Sequence, residues 1–332
     1  MQETLKETID LFLENREKIK SAYKWESEYI YPLSGLMFTA KHEKIDIERM
    51  KEAEKIVKSK TGVFSGFRGS TQMAIMAQMV LSDDMEGFFD AVKRVYDKLS
   101  KKKWVSSEYL IVAAMVIVQN EKDESKYDTL IENTNDIMER MRKNHPWLTG
   151  GEDTGFAALL AVSGLQPDEL IEEMEKCYNI LQESKKFRDS NGIQSLSHVL
   201  ALELGNSEEK CNRVIGIYEN LKEKNKKFGQ TYELSTLGGL TLVDAEISEL
   251  AEQIAEVDDL LKTHKGFGAW GIGSKQRLMY ASMLVMQQYT SKVSTVEAAA
   301  LSGVVAIIIA EEVAMLAAIT ASTVAATTTS GN

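Results

Sequence analysis

Two hydrophobic patterns alternate along this chain. In residues 169–184 the apolar positions Leu170, Ile171, Met174, Cys177, Tyr178 and Leu181 form a stripe of helical period, and carboxylates and lysines fill most of the rest. Residues 109–118 (YLIVAAMVIV) and 156–162 (FAALLAV) are apolar on every side. A Trp or Phe marks each passage from the charged pattern to the apolar one: Trp25, Phe67, Trp104, Trp147, Phe187, Phe228, and then Phe267 or Trp270. The steps are roughly 40 residues, inside the range of paired-helix repeats. Ten residues after the aromatic stand Gly35, Ala77, Ala114, Ala157, Ser197 and Gly238, all small. Thirteen residues after it stand Phe38, Val80, Ile117, Leu160, Leu200, Thr241 and Met283, mostly large and apolar. A small residue three places before a large one, on the same helical face, lets one helix approach closely while the next turn fills the gap.

This spacing predicts an all-α fold over residues 1–290: about seven antiparallel hairpins of ~40 residues, a charged outer layer and a drier inner one. That number of units suits an α/α toroid-like arc somewhat better than an open solenoid. Lysines in the last turns, as at Lys101-Lys102-Lys103 and Lys185-Lys186, complement helix dipoles, and Ser106, Ser190 and Ser274 stand where N-caps are expected. Residues 291–332 break the repeat. Residues 298–310 carry no charge and are followed by Glu311-Glu312. A membrane span needs about 20 apolar residues, so an Ala-rich helical tail packed on the repeat domain, with a disordered Thr/Ser-rich end, is favoured over membrane contact.

Composition narrows the function. Lys and Arg number 39 against 50 Asp and Glu, a net charge of −11; with no local basic stripe, such a chain repels phosphate backbones and nucleic-acid binding is not expected. Three prolines in 332 residues favour long helices, and two cysteines cannot build a disulfide framework. The first twenty residues are charged throughout, so no secretory signal is expected and a cytoplasmic location is.

Motifs for chemistry are sparse. Gly266-Phe267-Gly268-Ala269-Trp270-Gly271 has the letters of a dinucleotide fingerprint, but a helical pattern precedes it where that motif requires a strand. The segment reads as a loosened hairpin turn. His42, His145, His198 and His264 lie far apart with no metal-ligand spacing, and neither cofactor nor metal is expected. Cys177 and Cys211 read as packed thiols. The offsets +4, +7 and +11 from each aromatic form a stripe of small and polar residues that is nearly free of charge, unlike the Lys/Glu carpet of the preceding helices. From it Glu108, Asn191, Gln194, His198, Tyr232 and Arg277 emerge as candidates to line a ligand-binding face, the alternative being hydrogen bonds between neighbouring inner helices.

Several stretches resemble a known bacterial family: Gly62-Val63-Phe64-Ser65-Gly66-Phe67-Arg68-Gly69, Ser106-Ser107-Glu108-Tyr109-Leu110, Leu196-Ser197-His198-Val199-Leu200-Ala201-Leu202, Glu209-Lys210-Cys211-Asn212-Arg213-Val214, the glycine-rich turn at 266–271 and the Ala-rich tail. The family is known as a domain of unknown function, numbered four thousand and three. The resemblance implies a cytoplasmic bacterial protein and supplies no activity, cofactor or site residue. Two functions stay open. One is non-catalytic binding of a protein, peptide or small ligand on a concave inner-helix face. The other is an α/α-toroid enzyme with Glu108, Asp153 or His198 as acid–base groups at the inner-helix N-termini.

Overall fold

The computed structural model describes residues 3–290 apart from 25, 27, 29, 70, 103–106 and 269–270. Among them every regular element is helical. The α-helices are α1 (Glu3–Ala22), α2 (Ile30–Ala40), α3 (Ile47–Lys60), α4 (Gln72–Leu81), α5 (Met85–Leu99), α6 (Ser107–Asn120), α7 (Tyr127–Asn144), α8 (Thr154–Val162), α9 (Pro167–Glu183), α10 (Ser190–Leu200), α11 (Ser207–Glu223), α12 (Ser235–Gly239), α13 (Ile247–Thr263) and α14 (Ser274–Thr290). None among the described residues is long and apolar enough to cross a membrane. The tail expected at 291–332 lies outside the described residues, as do Trp25, Tyr29, Trp104, Ser106 and Trp270.

The described residues fall into two compact units, 11–164 and 165–290 with 3–10. In the first, α3 packs on α4, α5 on α6 and α7 on α8, while α2 meets α4 and α6 meets α8. In the second, α9 packs on α10, α11 on α12 and α13 on α14, with α10, α12 and α14 in succession. Odd helices also touch the next odd helix: α3 with α5, α5 with α7, α9 with α11, and α11 with α13. The even helices are buried along most of their length, as at Met73–Val80 of α4, because their sequences carry almost no charge. The odd helices bury one stripe, such as Leu170, Met174, Cys177 and Leu181 of α9. The small residues Gly35, Ala77, Ala114, Ala157, Ser197 and Gly238 are all buried.

Charges on the odd helices pair across neighbours. Lys60 meets Asp90 at 2.6 Å, Arg94 meets Glu124 at 2.5 Å, and Lys98 and Lys224 pair with Asp128 and Glu252. The aromatic that ends an odd helix packs onto the next odd helix. Phe67 stands edge-on to Phe89 and Tyr96 of α5 at 5.5 and 5.0 Å, and Phe187 edge-on to Tyr218 of α11 at 5.1 Å. Phe228 and Phe267 are buried as well, but Trp147 is not: it is 96% exposed.

An aspartate, not the expected Ser190, caps α10, and aspartates also cap α3 and α5, while Ser106 lies outside the described residues. Asp46 caps α3, Asp84 caps α5 and Asp189 caps α10 by accepting the Gly192 N–H at 2.8 Å. Ser190 is therefore the first residue inside α10, and Ser274 the first inside α14, where the Gly273 carbonyl accepts the Arg277 N–H. Two glycines allow close approaches between separate elements. A Cβ on Gly192 would lie 2.1 Å from the Gln230 carbonyl oxygen, and one on Gly238 would lie 2.8 Å from Cγ1 of Val199. The glycine-rich segment after α13 is a turn, closed by the Ile272 N–H donating to the Gly266 carbonyl at 2.8 Å.

Candidate functional site

The polar stripe of the even helices is mostly interior. At +7 and +11 Gln194, His198 and Arg277 are buried, together with Gln78, Thr154 and Ser235. At +4, in the first turn or just before it, Glu108 and Tyr232 are half-buried and Asn191 is exposed. The accessible part of the stripe is thus its N-terminal end. Glu108 belongs to the unit of residues 11–164 and the other five to the unit of residues 165–290. Within that second unit α10 touches the 3-10 turn Tyr232–Leu234, which in turn touches α14. There the Tyr232 hydroxyl accepts the Gln276 Nε2–H at 2.5 Å, next to Arg277.

Arg277 is held by a charge partner. Its Nε donates to Asp258 Oδ1 at 2.7 Å, its Nη2 to Oδ2 at 3.4 Å, and its Nη1 reaches the Phe267 carbonyl at 3.5 Å. Lys226, beyond the end of α11, bridges Asp258 Oδ2 at 2.9 Å and Asp259 Oδ1 at 2.5 Å. Burial pulls the Lys226 pKa down, but hydrogen bonds to Asp259 and Asp258 outweigh it and hold the ammonium above its usual value. These groups border a cavity of about 220 Å³, lined also by Lys227, Lys262 and Ser274. A wider, shallower groove of about 630 Å³ runs beside α9 and the start of α11, past Lys176, Asn206, Glu208 and Asn212.

A second buried charge pair escapes the sequence reading. Glu173 and Lys210 are each about 4% exposed and meet at 2.7 Å. Burial raises the Glu173 pKa, yet Lys210 and the Ser207 hydroxyl, which donates at 2.6 Å, bring it below the ordinary value. Lys210 also donates to the carbonyls of Leu200 and Glu203, tying the loop after α10 to α11. A signal existed: Glu173 lies three residues after Leu170 and four before Cys177, inside the apolar stripe. Cys177 and Cys211 are fully buried free thiols on α9 and α11. The hydrogen bond with Cys211, followed by burial, pushes the Cys177 thiol far up, which suppresses the thiolate and makes it chemically inert.

Of the acid–base candidates, Asp153 is perturbed. Burial drives its carboxyl up to about 7 and Glu152 adds to this, while the Gly150 N–H, donating at 2.8 Å, opposes the shift. It precedes α8 in the first unit, and His198 belongs to the second. No group of three or more His, Cys, Asp or Glu among the described residues could hold a metal ion. Among the described residues the most exposed large apolar side chains lie in two turns between odd and even helices of the first unit. Phe64 is fully exposed and Val63 largely so, in the turn from α3 to α4, and Trp147 is outward in the turn from α7 to α8.

An all-helical chain with these sequence signatures defines a class before it defines a chemistry. The chain belongs to the family described as "Protein of unknown function (DUF4003)", whose pattern it matches over residues 15–313. It is similar to the "Uncharacterized protein YeaA" of Bacillus subtilis (strain 168), with 22% identity over 250 residues that cover 74% of each chain. No solved structure matches it.

Proposed function

We propose that this protein is a non-catalytic helical-repeat binding protein, a stack of hairpins that contacts its partner along the edge where odd helices turn into even ones. The observation that carries the reading is the outward display of Phe64 and Trp147 at two such turns of one unit, with Val63 beside Phe64. Side chains of this size gain most from burial, about 1.5–3 kcal/mol for a Phe, and exposed apolar patches mark interaction sites. The equivalent aromatics Phe67, Phe187, Phe228 and Phe267 are spent on packing, so Trp147 departs from a structural use that the same position otherwise serves. The even-helix face is a contact surface in this reading only at its N-terminal end, where Glu108, and in the other unit Asn191 and Tyr232, remain accessible. Gln194, His198 and Arg277 serve packing and ion pairing instead.

A photo-crosslinking amino acid placed at 64 or 147 in cells is expected to give a discrete adduct, and one at the exposed Lys51 of α3 none. Adducts from all three positions alike, or from none, would overturn the proposal. The second reading, an enzyme with its pocket at the even-helix N-termini, draws on Asp153, whose carboxyl titrates near neutrality. Its burial and its bond to the Gly150 N–H make it the weaker one, since a general acid must reach its substrate.

A further inference from the structure

We propose that the cavity of about 220 Å³ formed by the loop after α11, the second half of α13 and the start of α14 is a binding site for the phosphate group of a small phosphorylated molecule. Its titratable lining is Lys226, Lys227, Lys262 and Arg277 against Asp258 and Asp259, a formal excess of two positive charges in a chain of net charge −11. The two carboxylates are already engaged. Asp258 is held between Arg277 and Lys226, and Asp259 by Lys226. That leaves Lys227, in the loop after α11, and Lys262, in the last turn of α13, without an ion pair among the described residues.

The arrangement has the layering of an anion site. Asp258 and Arg277 are buried and Lys226 is half-buried; their ion pairs fix the floor, so Arg277 and Lys226 cannot swing away, and two exposed lysines stand at the rim. Lysine rims act as mobile point charges on phosphate, and a concave lining with a net positive charge concentrates an anion that the rest of this acidic surface repels. Sites for drug-sized ligands measure about 300–1,000 Å³; this smaller cavity suits a phosphate or a short polyphosphate. Arg277, one of the sequence-derived candidates, borders this cavity.

The test is calorimetric titration of the full chain at low ionic strength with inorganic phosphate, pyrophosphate and glycerol phosphate, and with acetate and citrate as carboxylate anions. The expected result is saturable binding of pyrophosphate at a single site, with weaker binding of the two monophosphates and none of acetate. K227Q/K262Q, both at exposed positions, is expected to weaken it by about a hundredfold, a charge-assisted hydrogen bond being worth about tenfold each. Its unfolding midpoint without ligand is expected to stay unchanged. K51Q/K55Q on α3, which removes the same charge elsewhere, is expected to leave the affinity alone. Absence of saturable binding at millimolar pyrophosphate, an equal loss in both double variants, or citrate binding as tightly as pyrophosphate would each overturn the assignment. These outcomes do not bear on the turn edge of the other unit, so the two proposals fail separately.

Discussion

Asp153 shows how one buried carboxyl writes itself into the pH dependence of the fold. Its folded pKa of about 7 lies above the ordinary 3.8, so the native state favours the protonated acid. The stabilisation this brings is complete below pH 3.8 and is lost as pH rises through 7, amounting to up to about 4 kcal/mol. Asp153→Asn keeps an oxygen for the Gly150 N–H and removes the titration. Its unfolding midpoint is therefore expected to stay level between about pH 5 and 8 while that of the parent chain falls, which thermal melts across that range would read. Lys210 makes the complementary case. Lys210→Met strands the Glu173 carboxylate in the core and is expected to cost about 3–5 kcal/mol in urea unfolding, whereas Glu173→Met with Lys210→Met recovers most of that loss. The sequence shows neither burial outright: Asp153 stands there only as an acid–base candidate, and Glu173 only as a carboxylate within an apolar stripe. Period alone gives a residue's angle on its own helix; whether a neighbour covers that angle is decided elsewhere in the chain.

At the scale of the helix, local chemistry and packing divide the work. Caps are short-range, with Asp46, Asp84 and Asp189 satisfying first-turn N–H groups, whereas charge pairs such as Lys60 with Asp90 join residues about thirty apart. The close approaches are long-range. Gly192→Ala would push a methyl group into the Gln230 carbonyl, and we expect a loss of about 1–3 kcal/mol, read from the denaturation midpoint. The helix pattern was legible before any coordinates, since the charged stripe of α9 and the apolar run of α6 are properties of consecutive residues. The caps were misread by one residue at α10, where Ser190 follows the capping Asp189, because both side chains suit the position and only the backbone angle separates them. α12 is reduced to Ser235–Gly239 between two 3-10 turns, which the adjacent Gly238 and Gly239 make cheap by weakening helix propensity.

For the molecule as a whole, the exposed aromatics separate stability from contact. Phe64→Ser with Trp147→Ser touches no buried surface, so its unfolding free energy is expected to stay within about 0.5 kcal/mol of the parent. The same double variant is expected to lose any adduct formed by a crosslinker at the neighbouring, exposed Val63. A large fall in stability would mean that these side chains are structural.

Sequence by itself determined the helical class, the rhythm of charged and apolar segments, and the small residues at the packing face, because each depends on spacing within one stretch of chain. Tertiary structure alone decided that Gln194, His198 and Arg277 turn inward while Asn191 stays in water, that Trp147 leaves the place its counterparts fill, and that Arg277, Asp258 and Lys226 meet. The physical reason is distance along the chain. Burial and charge pairing are set by partners that no window of consecutive residues contains.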